Sequence, residues 1–267
     1  MIYGSPIKES RDKELQVRTP FLSILGALSF VSNLCSPDVG FAVNLLVRQS
    51  SNPTSRHLSL DKNLLKYLYG TRTRGLTYTH NKMQATPRVE IWSYGDWASN
   101  PVDRRNVSGY IVKYSNSLIS FKTKKQNLTA KSSFEAEYRA LAYGLEQALL
   151  IKDHVHFLSL PVEPNILAYC DNQATIHSYK WVSTKRSKYL DVSFQYVRNY
   201  AMRNGVKLDY AASEDNPADL MTKIVQRAQF NPIIAKLVQF HDQSEKTKDV
   251  TVIPAPNRVK RSGTRSF

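Results

Sequence analysis

At Ser132 the hydrophobic pattern of the chain changes period, and this change restricts the fold more than any other feature. Before it, Val89, Ile91 and Ser93 alternate with Glu90 and Trp92, the period of two that marks a strand. Residues 109–114 and 118–122 read as two more strands, joined by Ser115-Asn116-Ser117, a turn by composition. After it, Phe134, Tyr138, Leu141, Leu145 and Ala148 recur at helical spacing. Ser132 and Glu135 have the spacing of a capping box, so the helix starts where the period switches. Residues 165–170 then read as a fourth strand and 172–179 as a short helix. Leu190, Phe194, Val197 and Ala201 line a further helix ended by Gly205, and 206–210 form a last strand. Asn216-Pro217 opens a final helix, a capping residue followed by a first-turn proline. The order βββαβααβα describes an α/β arrangement, a mixed sheet flanked by helices.

A different pattern precedes this unit. Residues 1–17 are polar and expected to fray. Phe21, Leu22, Leu25, Leu28 and Val31 then repeat at helical spacing. Ser36-Pro37-Asp38 supplies a cap, a first-turn proline and a dipole-matched acid ahead of a second helix over 41–47. Leu64, Leu65, Tyr67 and Leu68 mark a third, stopped by Gly70, with a strand expected at 75–79 and a linker at 81–87. From His241 onward the chain is polar, with Pro254 and Pro256, and is expected to be disordered. The expected divisions are therefore 1–17, a helical segment 18–80, an α/β domain 88–226 and a basic tail 240–267.

Lysine and arginine number 37 against 22 acids, a net charge of +15. Such an excess favours phosphate-bearing partners, because counterions released from nucleic acid drive association. Lys122, Lys124, Lys125, Arg104 and Arg105 fall near the sheet and suggest a phosphate-tracking face; a solvated basic surface is the plainer reading. Arg258, Lys260, Arg261 and Arg265 read as a charged tail, with a nuclear-import patch as the alternative. The most apolar run, 21–35, is shorter than the roughly 20 residues a bilayer needs, so no membrane association is expected. Cys35 and Cys170 lie far apart in apolar stretches, as expected of two buried free thiols in a reducing compartment. An intracellular protein, cytoplasmic or nuclear, is the expectation.

Ligands of an open α/β sheet gather at strand ends and neighbouring helix starts. Four acids fall there: Asp96 after the first strand, Glu137 early in the long helix, Asp171 at the end of the fourth strand and Asp219 in the first turn of the last helix. Glu137 precedes Leu141 by four residues and lies on the apolar side, whereas Glu135 is expected to point away. A carboxylate on a core-facing edge is costly unless something positive meets it, a divalent metal or a buried arginine. Asp171 alone reads as a turn residue and Asp219 alone as a complement to the helix dipole. The set of four is what suggests hard oxygen ligands for Mg²⁺.

The residues around these acids resemble the ribonuclease H domain of copia-type retrotransposon polyproteins. Asp96-Trp97-Ala98 is similar to its opening motif, Arg104-Arg105 with Ser108-Gly109-Tyr110 to its second strand, and Lys124-Lys125-Gln126 to the end of its third. Glu135-Ala136-Glu137-Tyr138 resembles the helix motif, Cys170-Asp171-Asn172-Gln173 the strand motif, and Pro217-Ala218-Asp219-Leu220 with Thr222-Lys223 the closing motif. Upstream, Leu25-Gly26-Ala27-Leu28, Ser36-Pro37-Asp38, Asn52-Pro53 and Tyr67-Leu68-Tyr69-Gly70-Thr71 resemble the thumb and connection of the same polyprotein's reverse transcriptase. The polymerase carries paired aspartates, and no two adjacent aspartates occur here, so polymerisation is not expected and the chain is expected to begin partway through the ancestral protein.

The resemblance implies a ribonuclease H-like mixed five-stranded sheet flanked by helices, preceded by a small helical segment. It implies Mg²⁺-dependent (or Mn²⁺-dependent) hydrolysis of the RNA strand of RNA–DNA hybrids, with Glu137, Asp171, Asp219 and Asp96 as catalytic and metal-binding residues in a two-metal site. One departure weakens that expectation. The family motif reads Ser-Asp-x-Asp-Trp, and here Ser93-Tyr94-Gly95-Asp96-Trp97 puts Tyr94 where the carboxylate shared by both metals belongs. A neutral phenol replaces it poorly, and Asp96, on the same strand side, is displaced by about 6–7 Å. Loss of one member of a catalytic unit can cost on the order of 10³ in rate. A hydrolase impaired by Tyr94 and a catalytically inactive nucleic-acid-binding remnant are both open on the sequence. Tyr189, where the family has histidine, is a second departure.

Overall fold

The computed structural model describes residues 18–76, 78, 86–97, 105–127, 129–178, 191–203, 205–237 and 239–240. The segment 1–17, most of the linker at 81–87, Arg104, Tyr189, Leu190 and the tail from His241 lie outside the described residues.

Three helices open the described chain: α1 (Arg18–Leu34), α2 (Gly40–Val47) and α3 (Ser55–Gly70). Phe21, Leu25, Leu28, Val39, Val43, Leu46 and Leu64 are buried together between them, each worth about 1.5–3 kcal/mol of transfer free energy. α3 is capped reciprocally: Thr54 Oγ1 accepts from His57 N at 3.5 Å, and His57 Nδ1 accepts from Thr54 N at 3.1 Å. The cap expected at Ser36 is not made. Pro37–Val39 is a 3₁₀ turn running directly into α2, so Ser36 faces no separate helix start, and Asp38 instead accepts from the Tyr67 hydroxyl at 2.6 Å. Cys35, expected to be buried, is exposed, because it follows α1 beyond Leu34, itself 57% exposed.

Near the strand expected at 75–79, the described residues form β1 (Arg74–Gly75), while residues 77 and 79 lie outside the described residues. The sheet proper starts with β2 (Val89–Asp96), β3 (Val107–Tyr114) and β4 (Ser117–Lys125), an antiparallel meander. Its β3–β4 turn has Ser115 and Asn116 at φ 50° and 65°, the left-handed pair a two-residue hairpin needs. There follow α4 (Ser133–Phe157), β5 (Ile166–Cys170), α5 (Gln173–Ser178), α6 (Asp191–Met202) and β6 (Val206–Tyr210). β5 lies parallel to β2 and β6 parallel to β5, giving the five-stranded order β4-β3-β2-β5-β6. Asn216-Pro217 opens a short 3₁₀ helix (Pro217–Met221) in place of the expected α-helix. The N–H groups of Thr222 and Lys223 both close onto the Asp219 carbonyl and end it. α7 (Arg227–Leu237) and β7 (Gln239–Phe240), antiparallel to β1, complete the described chain.

Both faces of the sheet are covered. On one, Val89, Ile91, Tyr110 and Val112 pack with Tyr138, Leu141 and Leu145 of α4 and Phe194 and Val197 of α6. On the other, Ile111, Leu118 and Phe121 pack with Leu220, Met221, Ile233, Ile234 and Leu237. The helical segment touches this second side, where Asn44 donates to the Thr123 carbonyl at 3.4 Å. At the start of α4 only half of the capping box forms. Ser132 Oγ accepts from Glu135 N at 3.2 Å, but Glu135 accepts from Lys131 N rather than from Ser132. Glu135 does not point away: it is buried, like Glu137, and its Oε1 pairs with Arg139 at 2.6 Å. The arginine that a buried acid requires has gone to Glu135, and Glu137 is left without it.

Candidate active site

β2 is the central strand, antiparallel to β3 on one side and parallel to β5 on the other. Its end is a place where neighbouring connections diverge and leave room for a ligand. Gly95 lets α4 reach that end. A Cβ there would stand 2.4 Å from the Ala136 carbonyl oxygen and 2.7 Å from Glu137 N, so only glycine admits the helix. The Gly95 N–H donates to Glu137 Oε2 at 3.0 Å. Gly109, the cross-strand partner of Tyr94, does the same for the 3₁₀ helix, since a Cβ would meet Met221 Cβ at 2.4 Å. Asn216, fully buried, fixes that helix to the strand: Oδ1 accepts from Ala218 N at 3.0 Å and Nδ2 donates to the Ser93 carbonyl at 2.9 Å. Asp171 leaves β5 and accepts from Ser213 Oγ at 2.5 Å.

These attachments bring Glu137, Asp171 and Asp219 into one electrostatic neighbourhood. Burial first, then the nearby Asp171 and Asp219 charges, push Glu137 well above the usual carboxylate range against the pull of the Gly95 N–H. Burial pushes Asp219 up to about 6 against Lys223, with Asp171 and Asp96 adding to the rise. Asp96 closes β2 and shares the strand face of Tyr94; its charge reaches Asp219. The Tyr94 phenol is raised chiefly by burial. Lys223 Nζ lies 2.7 Å from Asp219 Oδ2, donates to the Tyr94 hydroxyl at 3.4 Å and stands 4.4 Å from the centre of the Tyr94 ring.

A pair of divalent ions fits this arrangement poorly. Tyr94 offers a phenol where the resemblance puts a shared carboxylate, and an ammonium already occupies one side of Asp219. Among the described residues no group of three or more His, Cys, Asp or Glu side chains is placed to hold a metal ion. A single ion has more to meet, because Glu137 and Asp171 are in contact and Asp219 Oδ1 is buried without a hydrogen-bond partner.

The sequence did not single out Gly95, Ser213 or the second bond of Asn216. Gly95 carried a signal, a glycine inside a strand pattern; Ser213 carried none. Lys122 donates to Asn33 at 2.7 Å and the Lys124 ammonium stands 4.4 Å from the centre of the Tyr143 ring. Lys125 pairs across the sheet with Val107, which also pairs with Asp96, so Lys125 and the neighbouring Arg105 lie at the acidic end.

The antiparallel β4-β3-β2 meander with parallel β5 and β6, and α4 crossing from the meander to β5, define a ribonuclease H-like fold. No protein-family model matches the chain. Among curated proteins it is 30% identical over 220 residues to the "Retrovirus-related Pol polyprotein from transposon RE1" of Arabidopsis thaliana, covering 82% of this chain and 15% of that protein. It is 28% identical over 231 residues to the corresponding protein of transposon TNT 1-94 from Nicotiana tabacum, covering 86% and 17%. A stretch of 130 residues, 49% of this chain, is 35% identical to "Secreted RxLR effector protein 161" of Plasmopara viticola and covers 89% of it. The chain belongs to the copia-type retrotransposon Pol polyproteins, of which it spans about a sixth of the length. Among solved structures, LC11-RNase H1 in complex with an RNA/DNA hybrid aligns with a TM-score of 0.39 at 16% identity, over 50% of this chain and 93% of that one. The strand order, not that superposition, defines the fold. Among the described residues no helix is long and apolar enough to cross a membrane.

Proposed function

We propose that this chain binds RNA–DNA hybrid, or a related nucleic acid, and hydrolyses the RNA strand only weakly. Glu137, Asp171, Asp219 and Asp96 are the proposed catalytic and metal-facing residues. Glu137 and Asp171 would hold one Mg²⁺ or Mn²⁺ ion, whose chemistry is to neutralise phosphate charge and activate water. The observation that carries the reading is Tyr94, a phenol at the point where Glu137 and Asp219 approach one strand. The net charge of +15, with Lys125 and Arg105 at the acidic end of the sheet, supports a phosphate-bearing partner. A second reading, binding with no hydrolysis, is favoured by the Lys223 ammonium on Asp219. Residues 88–226 form the proposed nuclease-like domain and 18–80 a remnant of thumb and connection, in an intracellular protein.

A hybrid-cleavage assay in Mg²⁺ or Mn²⁺ tests this. The chain as given should cut faintly, Tyr94→Asp should cut at least about tenfold faster, and Asp171→Asn should not cut. Vigorous cleavage by the unmodified chain overturns the proposal; a Tyr94→Asp chain that binds hybrid yet never cuts it leaves the second reading standing.

A further inference from the structure

We infer that Lys223 is a built-in counter-ion, which neutralises Asp219 beside Glu137 and Asp171 in the place of a second divalent ion. Glu137, Asp171 and Asp219 come from three separate places in the chain and bear on one another at the end of β2, where like charges repel unless a proton or a cation intervenes. Tyr94 brings no charge to the site. Lys223 does, 2.7 Å from Asp219 Oδ2 and four residues beyond it. Tyr94 holds the ammonium there twice over, with its hydroxyl at 3.4 Å and its ring face at 4.4 Å. The Asn216 bond to the Ser93 carbonyl anchors the turn that delivers it. Aspartate at 94 would compete with Asp219 for this lysine; tyrosine positions the lysine without taking its charge. A second metal ion would have to displace the ammonium from Asp219 first. The inference rests on the proposed function only in taking these acids as the place a divalent ion approaches.

The test is thermal unfolding of the full chain in EDTA and in millimolar Mg²⁺, which reads no cleavage and so fails or succeeds separately from the nuclease proposal. The unmodified chain should gain less from Mg²⁺ than Lys223→Met does, because only one ion reaches its acids. Lys223→Met should melt on the order of 5 °C lower in EDTA and recover in Mg²⁺, because the ion then reaches an uncompensated cluster. The double variant Lys223→Met with Asp219→Asn should regain the loss in EDTA. If Lys223→Met does not fold in EDTA, the double variant decides: its folding supports the inference and its failure overturns it. Equal Mg²⁺ stabilisation of the unmodified chain and Lys223→Met, or a single variant that melts unchanged in EDTA, also overturns it.

Discussion

The Asn216 side chain donates to the Ser93 carbonyl at 2.9 Å, across 123 positions of sequence. The same amide caps the 3₁₀ helix through its oxygen, so one residue sets both the start of that helix and its distance from β2. Replacing it with alanine leaves two buried backbone groups without partners. Asn216→Ala should lower stability by about 1–3 kcal/mol, measured by urea unfolding, and should weaken hybrid binding less than it weakens cleavage. An unchanged urea midpoint would show that this bond does not hold the site together.

Gly95 has no room for a methyl group against the Ala136 carbonyl. Gly95→Ala should therefore push α4 away from β2, at a cost of about 1–3 kcal/mol, and lengthen the hydrogen bond to Glu137. Hydrogen exchange at the amide of position 95 should rise. Protection equal to that of the unmodified chain would show that the helix and strand relax freely around the added methyl.

Hybrid binding should fall steeply with salt and show little sequence preference. Removing two charges at the acidic end of the sheet, Arg105→Ala with Lys125→Ala, should flatten the dependence of log K on log salt by about one for each phosphate no longer neutralised. Lys122→Ala should change the slope less, since that ammonium is engaged with Asn33. Equal slopes for all three proteins, in binding titrations from low to high salt, would count against a localised basic rim.

Asp61 is fully buried in the helical segment, and neither carboxylate oxygen has a hydrogen-bond partner. Burial pushes its pKa up to about 7 from 3.8. The folded-state value is the raised one, so the folded chain binds the proton more tightly. The helical segment should be most stable below pH ~4 as far as this group is concerned, and lose on the order of 4 kcal/mol as pH rises through 7. Asp219 and Glu137 act in the same direction, so the comparison that isolates Asp61 is with Asp61→Asn. That variant should show a flatter profile of α3 protection between pH 5 and 8. Parallel profiles would mean the carboxylate finds solvent or a partner.

The element order was legible in the sequence because it depends on local quantities. The switch of hydrophobic period at Ser132, the turn at Ser115-Asn116 and the glycine at 70 act within a few residues, and β2 to α4 stand close to where those signals place them. The positions of the four acids at element ends were legible for the same reason. What each acid meets was not, since a carboxylate's charge and partner are set through space. Glu135 takes Arg139, which a spacing of four residues could have suggested. The pairing of Lys223 with Asp219 is local too, but its meaning depends on Tyr94, which lies 129 positions away. Asp61 shares a helical face with His57 and Leu64, yet only tertiary packing removes it from water. Sequence by itself determined the order of the sheet's strands and of α4 along the chain, and the placing of the acids at element ends. Tertiary structure alone decided that the Lys223 ammonium meets the Tyr94 ring and hydroxyl beside Asp219, because desolvation and Coulomb energy depend on distances that no local pattern encodes.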